Sequence, residues 1–215
     1  MKISAFVKPY NVNKRTYRVD YGQFIHDLTI DGDLYQFGVY SGMSMINILE
    51  LYESINVEHG IFWGFDSFCG MPDEPNEPLM EAVWAKGEFS VCDYLDIDDV
   101  TIAKNIILST VHKYYPNKDV RLIPGFFCDS LVYNPEMQPA SFIDVDVDIY
   151  TSTMECMTFM FENKLIVPGT IINYDDWHGI GYGEGRAHVE LQKKYGFKCK
   201  QLNQTEPLLF RIEEI

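Results

Sequence analysis

Between Ser141 and Thr153 the chain reads SFIDVDVDIYTST, an apolar run after which Asp144, Asp146 and Asp148 alternate with Val145, Val147 and Ile149. Period-two alternation after such a run is the pattern of a strand end, so the three acids are expected to project from one side of the backbone while the strand lasts. Like charges held that close repel and are costly to desolvate, and they require a partner cation or a shared proton. The plain alternative is a solvated edge strand, which the apolar flanks disfavour. A second acidic pair, Asp175 and Asp176, follows another apolar run, Gly169 to Tyr174. In an open parallel sheet the carboxyl ends of neighbouring strands share one crevice, where ligands bind. Two acidic strand ends therefore predict a fold that joins them in one divalent-metal site.

The remaining chain repeats a strand, a turn and a helix. Leu34 to Val39 reads as a strand, Tyr40 to Ser44 as a glycine turn, and the following residues to Ser54 as a helix. Gly60 to Asp66 is the next strand. Residues 67–96 lose regular periodicity, with Pro72, Pro75, Pro78, Gly70 and Gly87 scattered among acids and aromatics. A stretch of that length predicts a lid, with Phe68, Trp84 and Phe89 placed to cover a ligand. Beyond it come a helix over 97–115, a strand over 119–124, a return turn over 125–131, the Asp144 strand, a helix over 152–163 and the Asp175 strand. A glycine-rich loop, residues 178–185, leads to a helix ending near 195, and residues 197–202 and 208–212 close the chain as an antiparallel pair. Residues 1–30 read as an N-terminal arm with a helix over 21–30. This alternation predicts one domain over residues 1–215 with a doubly wound α/β sheet.

Composition narrows the partners. A formal charge of -15 speaks against nucleic acid and anionic membranes, both of which select basic surface. The five cysteines are odd in number and never at CxxC spacing, which fits a reducing compartment and neither a disulfide framework nor a structural zinc site. With no apolar run of signal-peptide or membrane-span character, a cytoplasmic protein is expected.

Individual residues carry paired readings. Gly38 to Gly42 either brings backbone close to a ligand at a helix N-terminus or merely turns a strand into a helix, and it is not G-x-G-x-x-G. Asp66, at the end of the next strand, suits the two hydroxyls of an adenosine ribose. Asp129 reads first as a helix N-cap. Phe127 divides between core packing and stacking on an adenine. His178, beside the acidic pair, is either solvated or a proton relay.

Taken together, Phe37-Gly-Val-Tyr-Ser-Gly-Met-Ser44, Gly64-Phe-Asp-Ser-Phe-Cys-Gly-Met-Pro72, Lys86-Gly-Glu-Phe89, Gly125-Phe-Phe-Cys-Asp-Ser130, Asp146-Val-Asp-Ile-Tyr-Thr-Ser-Thr153 and Tyr174-Asp-Asp-Trp177 resemble the macrocin O-methyltransferase-like family. The resemblance spans about residues 34–187. It implies a Rossmann-like class I methyltransferase sheet, mostly parallel with an antiparallel C-terminal hairpin, that uses S-adenosylmethionine and Mg²⁺, or Mn²⁺ or Ca²⁺, to methylate a sugar hydroxyl. By resemblance, Gly38, Tyr40, Ser41, Gly42 and Ser44 would hold the methionine part of the cofactor. Asp66 with Ser67 would take its ribose, and Phe127, Asp129 and Ser130 its adenine. Asp146 or Asp144 would hold metal with Asp175 and Asp176, Asp146 or His178 would take the proton, and Glu184 and Arg186 would meet the acceptor. Two residues depart from the family pattern: Gln36 stands where an acid is usual, and Asp144 where a basic residue is frequent. The expected partner is a small hydroxylated acceptor, and self-association into a homo-oligomer is compatible with the sequence. A non-catalytic binding subunit of the same fold stays open, as does a nicotinamide-dependent dehydrogenase, although the latter's three-glycine fingerprint is missing.

Overall fold

A computed structural model describes residues 30–77 and 84–215. The expected helix over 21–30 lies outside these residues except for Ile30. In chain order the elements are β1 (Asp33–Phe37), α1 (Met43–Ser54), β2 (Phe62–Asp66), α2 (Val91–Leu95), α3 (Val100–Tyr114), β3 (Val120–Pro124), α4 (Phe127–Ser130), β4 (Ala140–Val145), α5 (Tyr150–Glu162), β5 (Ile171–Tyr174), α6 (Gly183–Tyr195), β6 (Lys198–Gln201) and β7 (Leu208–Glu214). The seven strands lie in the order β3-β2-β1-β4-β5-β7-β6. The first five are parallel, and β7 runs antiparallel to both β5 and β6.

Alternation along the central strands divides the core into two layers. Tyr35, Phe37, Trp63, Phe65, Ile143 and Val145 pack on one face against α5 and α6. Leu34, Phe62, Leu122 and Phe142 pack on the other against α1 and α3. Each fully buried side chain of this size contributes about 1.5–3 kcal/mol of transfer free energy, so the central strands are held firmly from both sides. The helices repeat the logic at their own period. Met45, Ile48, Leu49 and Tyr52 form the buried stripe of α1, and Thr153, Cys156, Met157 and Met160 that of α5.

Two expectations about element ends are corrected. The acidic alternation does not continue β4, which stops at Val145. Past that point Asp146 N donates to Phe37 O at 2.9 Å and Asp148 takes a left-handed φ of 60°, so Asp146 and Asp148 belong to the loop between β4 and α5. The irregular stretch also contains regular structure, for α2 is capped by Ser90, whose hydroxyl accepts from Asp93 N.

Candidate active site

The strand order reverses direction at β1 and β4, and a cleft of about 790 Å³ opens at the carboxyl ends of the parallel strands there. Two glycines let its floor close up. Gly38, at φ 83°, leaves no space for a side chain because a Cβ would overlap the carbonyl oxygen of Asp146. Gly183, at φ 46°, passes Asp148 so closely that a Cβ would sit 2.6 Å from that residue's carbonyl oxygen. The acidic loop is thus gripped between the first turn and the start of α6.

Asp66 ends β2 and ties the turns around it. One carboxylate oxygen accepts from Val39 N and Tyr40 N, both at 2.7 Å, and the other from Phe68 N at 2.6 Å. Burial pushes its pKa up, and these three donors act the other way.

Asp146, Asp175 and Asp176 each bring one oxygen within 4.8 Å of the others, all three half-buried. Asp176 N and Val147 N donate to the two oxygens of Glu184, which is fully buried. Burial, then the charges of Asp175, Asp144, Asp148 and Asp176, hold the Asp146 carboxyl well above the usual range. Asp148 is pushed up to about 8 by burial and by Asp176. Such crowding is the electrostatic state that a bound cation relieves, and all-oxygen donors suit Mg²⁺, Mn²⁺ or Ca²⁺. The residues present therefore fit a hard divalent ion.

Asp144 is not brought into this trio. It faces the sheet interior in register with Gln36 and Asn173, and Asn173 Nδ2 donates to it at 2.7 Å. Burial pushes its carboxyl up to about 7. Gln36 is likewise buried, with Nε2 donating to Ser44 Oγ at 2.5 Å.

Of the other candidates, Gly38, Tyr40, Asp66, Ser67 and Phe127 line the cleft, joined by Gly125, Phe126 and Cys128. Ser41, Gly42 and Ser44 shape the α1 turn behind it, where Gly42 N donates to Val39 O. Asp129 is exposed inside α4, whose N-cap is Phe126, so the N-cap expected of Asp129 is corrected. Ser130 donates to Gly125 O at 3.1 Å. His178 is exposed, 3.9 Å from Asp176, and stacks on Trp84 at 6.2 Å between centroids. Trp84 and Phe89 line the cleft, whereas Phe68 lies wholly in the core and covers nothing. Glu184 holds backbone, and Arg186 turns to Glu77, Glu190 and the Tyr150 ring, so neither is placed to meet an acceptor as expected. The place of Asp148 beside Asp176 and Glu184's backbone role escaped the sequence reading, although the glycine at 183 signalled a close approach.

This sheet, with its cleft at the reversal of strand order, has the Rossmann-like fold of the class I methyltransferases. A model of the macrocin O-methyltransferase (TylF) family matches residues 20–194, and the chain belongs to that family of S-adenosylmethionine-dependent O-methyltransferases. That membership sets the dehydrogenase reading aside. Among solved structures, the O-methyltransferase NovP is similar at 20% identity and a TM-score of 0.66, covering 91% of this chain and 78% of its own. The calicheamicin methyltransferase CalS11 follows at 17% and 0.65, covering 87% and 75%. An O-methyltransferase from Bacillus cereus, solved with S-adenosylhomocysteine, has 13% identity and a TM-score of 0.54 over 94% and 85%. No curated protein matches significantly by sequence. Among the described residues, no helix is long and apolar enough to cross a membrane.

Proposed function

We propose that the protein transfers a methyl group from S-adenosylmethionine to a hydroxyl of a sugar or glycosylated metabolite, with a divalent cation held by Asp146, Asp175 and Asp176. The observation that carries this reading is the trio of carboxylate oxygens within 4.8 Å at the floor of the cleft. Bound there, the cation would lower the pKa of the acceptor hydroxyl and fix its orientation.

The chain's own residues supply the rest. A cleft of about 790 Å³ is of cofactor size, with Asp66 at a polar end and Phe126, Phe127 and Met71 as apolar wall. Asp66, by ordering the Val39, Tyr40 and Phe68 amides, sets the two turns between which a ribose would lie. Asp146 accepts the acceptor's proton on a carboxylate oxygen, and His178 Nε2, beside Asp176 and open to solvent, passes it outward. Holding both reactants in line is the larger part of such catalysis. Trp84 and Phe89 exclude water from above.

The charge pattern bears on the acceptor. Lys86 is the sole basic side chain among the described cleft residues, it is paired to Asp73 at 2.6 Å, and every other charged group there is a carboxylate. Apart from the proposed metal, a diphosphate would find only Lys86, already paired to Asp73, on the described walls, so the acceptor is read as an uncharged or amino-bearing glycoside. This contrasts with CalS11, described as a TDP-rhamnose 3'-O-methyltransferase.

The test is methyl transfer from labelled S-adenosylmethionine to a panel of glycosides with vicinal hydroxyls and their deoxy analogues, with and without chelator. Transfer should stop in chelator, cofactor affinity should persist, and the deoxy analogues should react poorly. Full activity in excess chelator would sink the metal assignment.

A further inference from the structure

Five cysteines are spread along the chain without paired spacing, yet the fold brings two of them together. Residues 67–70 make a tight turn after β2, in which Cys69 N donates to Ser67 Oγ at 3.1 Å and Ser67 Oγ donates to Gly70 O at 2.7 Å. Cys92 N, in the first turn of α2, donates to Phe68 O at 3.0 Å and fastens that turn to the helix. Cys69 is exposed and Cys92 is buried, and the bond from Cys92 N to Phe68 O sets the two residues side by side, near enough for their thiols to influence one another. The remaining cysteines are engaged elsewhere or stand alone: Cys156 donates to Thr153 O, Cys199 contacts His188, and Cys128 is exposed on α4.

We propose that Cys69 and Cys92 are a redox modification site, joined by hydroperoxides in a reversible disulfide that loosens the cofactor end of the cleft. Cys69 meets the oxidant first because it alone of the pair is exposed. Its thiolate attacks one peroxide oxygen, the O–O bond breaks, and water leaves after protonation, giving a sulfenic acid at Cys69. The Cys92 sulfur then displaces that hydroxyl as a second water, losing its own proton. In balance, two thiols and one hydrogen peroxide yield one disulfide and two waters. Burial, with Cys69 adjacent, pushes the Cys92 thiol up to about 11, which keeps it protonated and unreactive until the sulfenic acid forms beside it.

The consequence follows from bond length. A disulfide holds its sulfurs about 2.05 Å apart, well inside any nonbonded contact, so the bridge draws the Cys69 turn toward α2. Phe68 N, in that turn, donates to Asp66 at 2.6 Å, and Ser67 and Gly70 line the cleft. The effect on cofactor rests on the proposed role of Asp66, whereas the bridge itself does not.

The experiment treats the full chain with hydrogen peroxide, maps its peptides without reduction, and measures S-adenosylhomocysteine affinity by calorimetry. Expected are a linked pair joining Cys69 to Cys92 and an affinity about tenfold weaker, the scale of one hydrogen bond to a charged group. Dithiothreitol should restore it. Cys69→Ser, at an exposed position, should neither link nor lose affinity on oxidation, and in Cys92→Ala the Cys69 thiol should run on to sulfinic and sulfonic acids. Three results would overturn the proposal: Cys69 over-oxidised without linkage in the unsubstituted chain, a link to Cys128 instead, or the expected bridge with affinity unchanged. If reduced protein fails to bind S-adenosylhomocysteine at all, the cofactor reading falls, and the peptide map still decides the bridge.

Discussion

Asp66 is half-buried and Glu184 fully buried, yet both have the same kind of role, since each carboxylate collects backbone amides from separate segments. Asp66→Asn keeps the size but replaces an acceptor oxygen by a donor, setting N–H against N–H in the first turn. S-adenosylhomocysteine affinity should fall by about 1.5–3 kcal/mol, and unchanged calorimetry would remove Asp66 from the cofactor site. Glu184→Ala leaves the amides of Val147 and Asp176 without acceptors, at about 1–3 kcal/mol each in stability. Its Mg²⁺ affinity should drop, whereas Arg186→Ala, whose side chain is engaged with Glu77, Glu190, Asn76 and Tyr150, should bind Mg²⁺ as before. Equal metal affinity in the Glu184 and Arg186 variants would contradict this assignment. The backbone amides that fill the Asp66 oxygens were hidden, but its place at the cleft was legible in the sequence because it closes an apolar strand run. Glu184 was not, since its position at the start of a helix does not say whether it faces outward or, as the crowding at Gly183 requires, inward.

At the scale of elements, residues 67–77 are latched across the cleft rather than free. Glu74 accepts from Thr151 N and Oγ1 at the start of α5, and Glu77 accepts from Gly183 N at the start of α6. Both carboxylates sit where the positive ends of helices favour them. We expect amide exchange in residues 67–77 to be slow without ligand and to quicken in Glu74→Gln. Residues 84–89, which present Trp84 and Phe89, should slow only when S-adenosylhomocysteine binds. Equal protection of both parts in all states would leave no lid. The sequence reading treated 67–96 as one irregular unit because scattered prolines and glycines hide both a five-residue helix and two carboxylate latches formed with distant partners. It likewise ran the Asp144 alternation past the true strand end, since period two cannot distinguish a strand from an extended loop bonded to its neighbour. The order of the seven strands and of the four longer helices, set by longer apolar runs, was legible, whereas the short helices α2 and α4 were not.

Over the whole molecule, the buried acids link stability to pH. Asp144 and Asp148 are raised to about 7 and about 8, so above the ordinary carboxylate range the folded chain keeps protons that the unfolded chain has lost. Stability from these groups therefore falls as pH rises through those values. His188, lowered to about 4 by burial, acts oppositely but only below about pH 6.5, its ordinary value. Between pH 6.5 and 8 the metal-free protein should lose melting temperature, and saturating Mg²⁺ should restore more at pH 8 than at 6.5, because it binds deprotonated ligands. A melting temperature that climbs over this window without metal would contradict the crowding of the acids.

Whether Asp146, Asp175 and Asp176 hold one catalytic cation is read most directly from an anomalous-scattering map of crystals containing Mn²⁺ and S-adenosylhomocysteine. A single peak bonded to all three carboxylates is expected, lost in Asp175→Asn along with methyl transfer. A peak on Asp144 instead, or no peak at a Mn²⁺ concentration that supports full turnover, would contradict it.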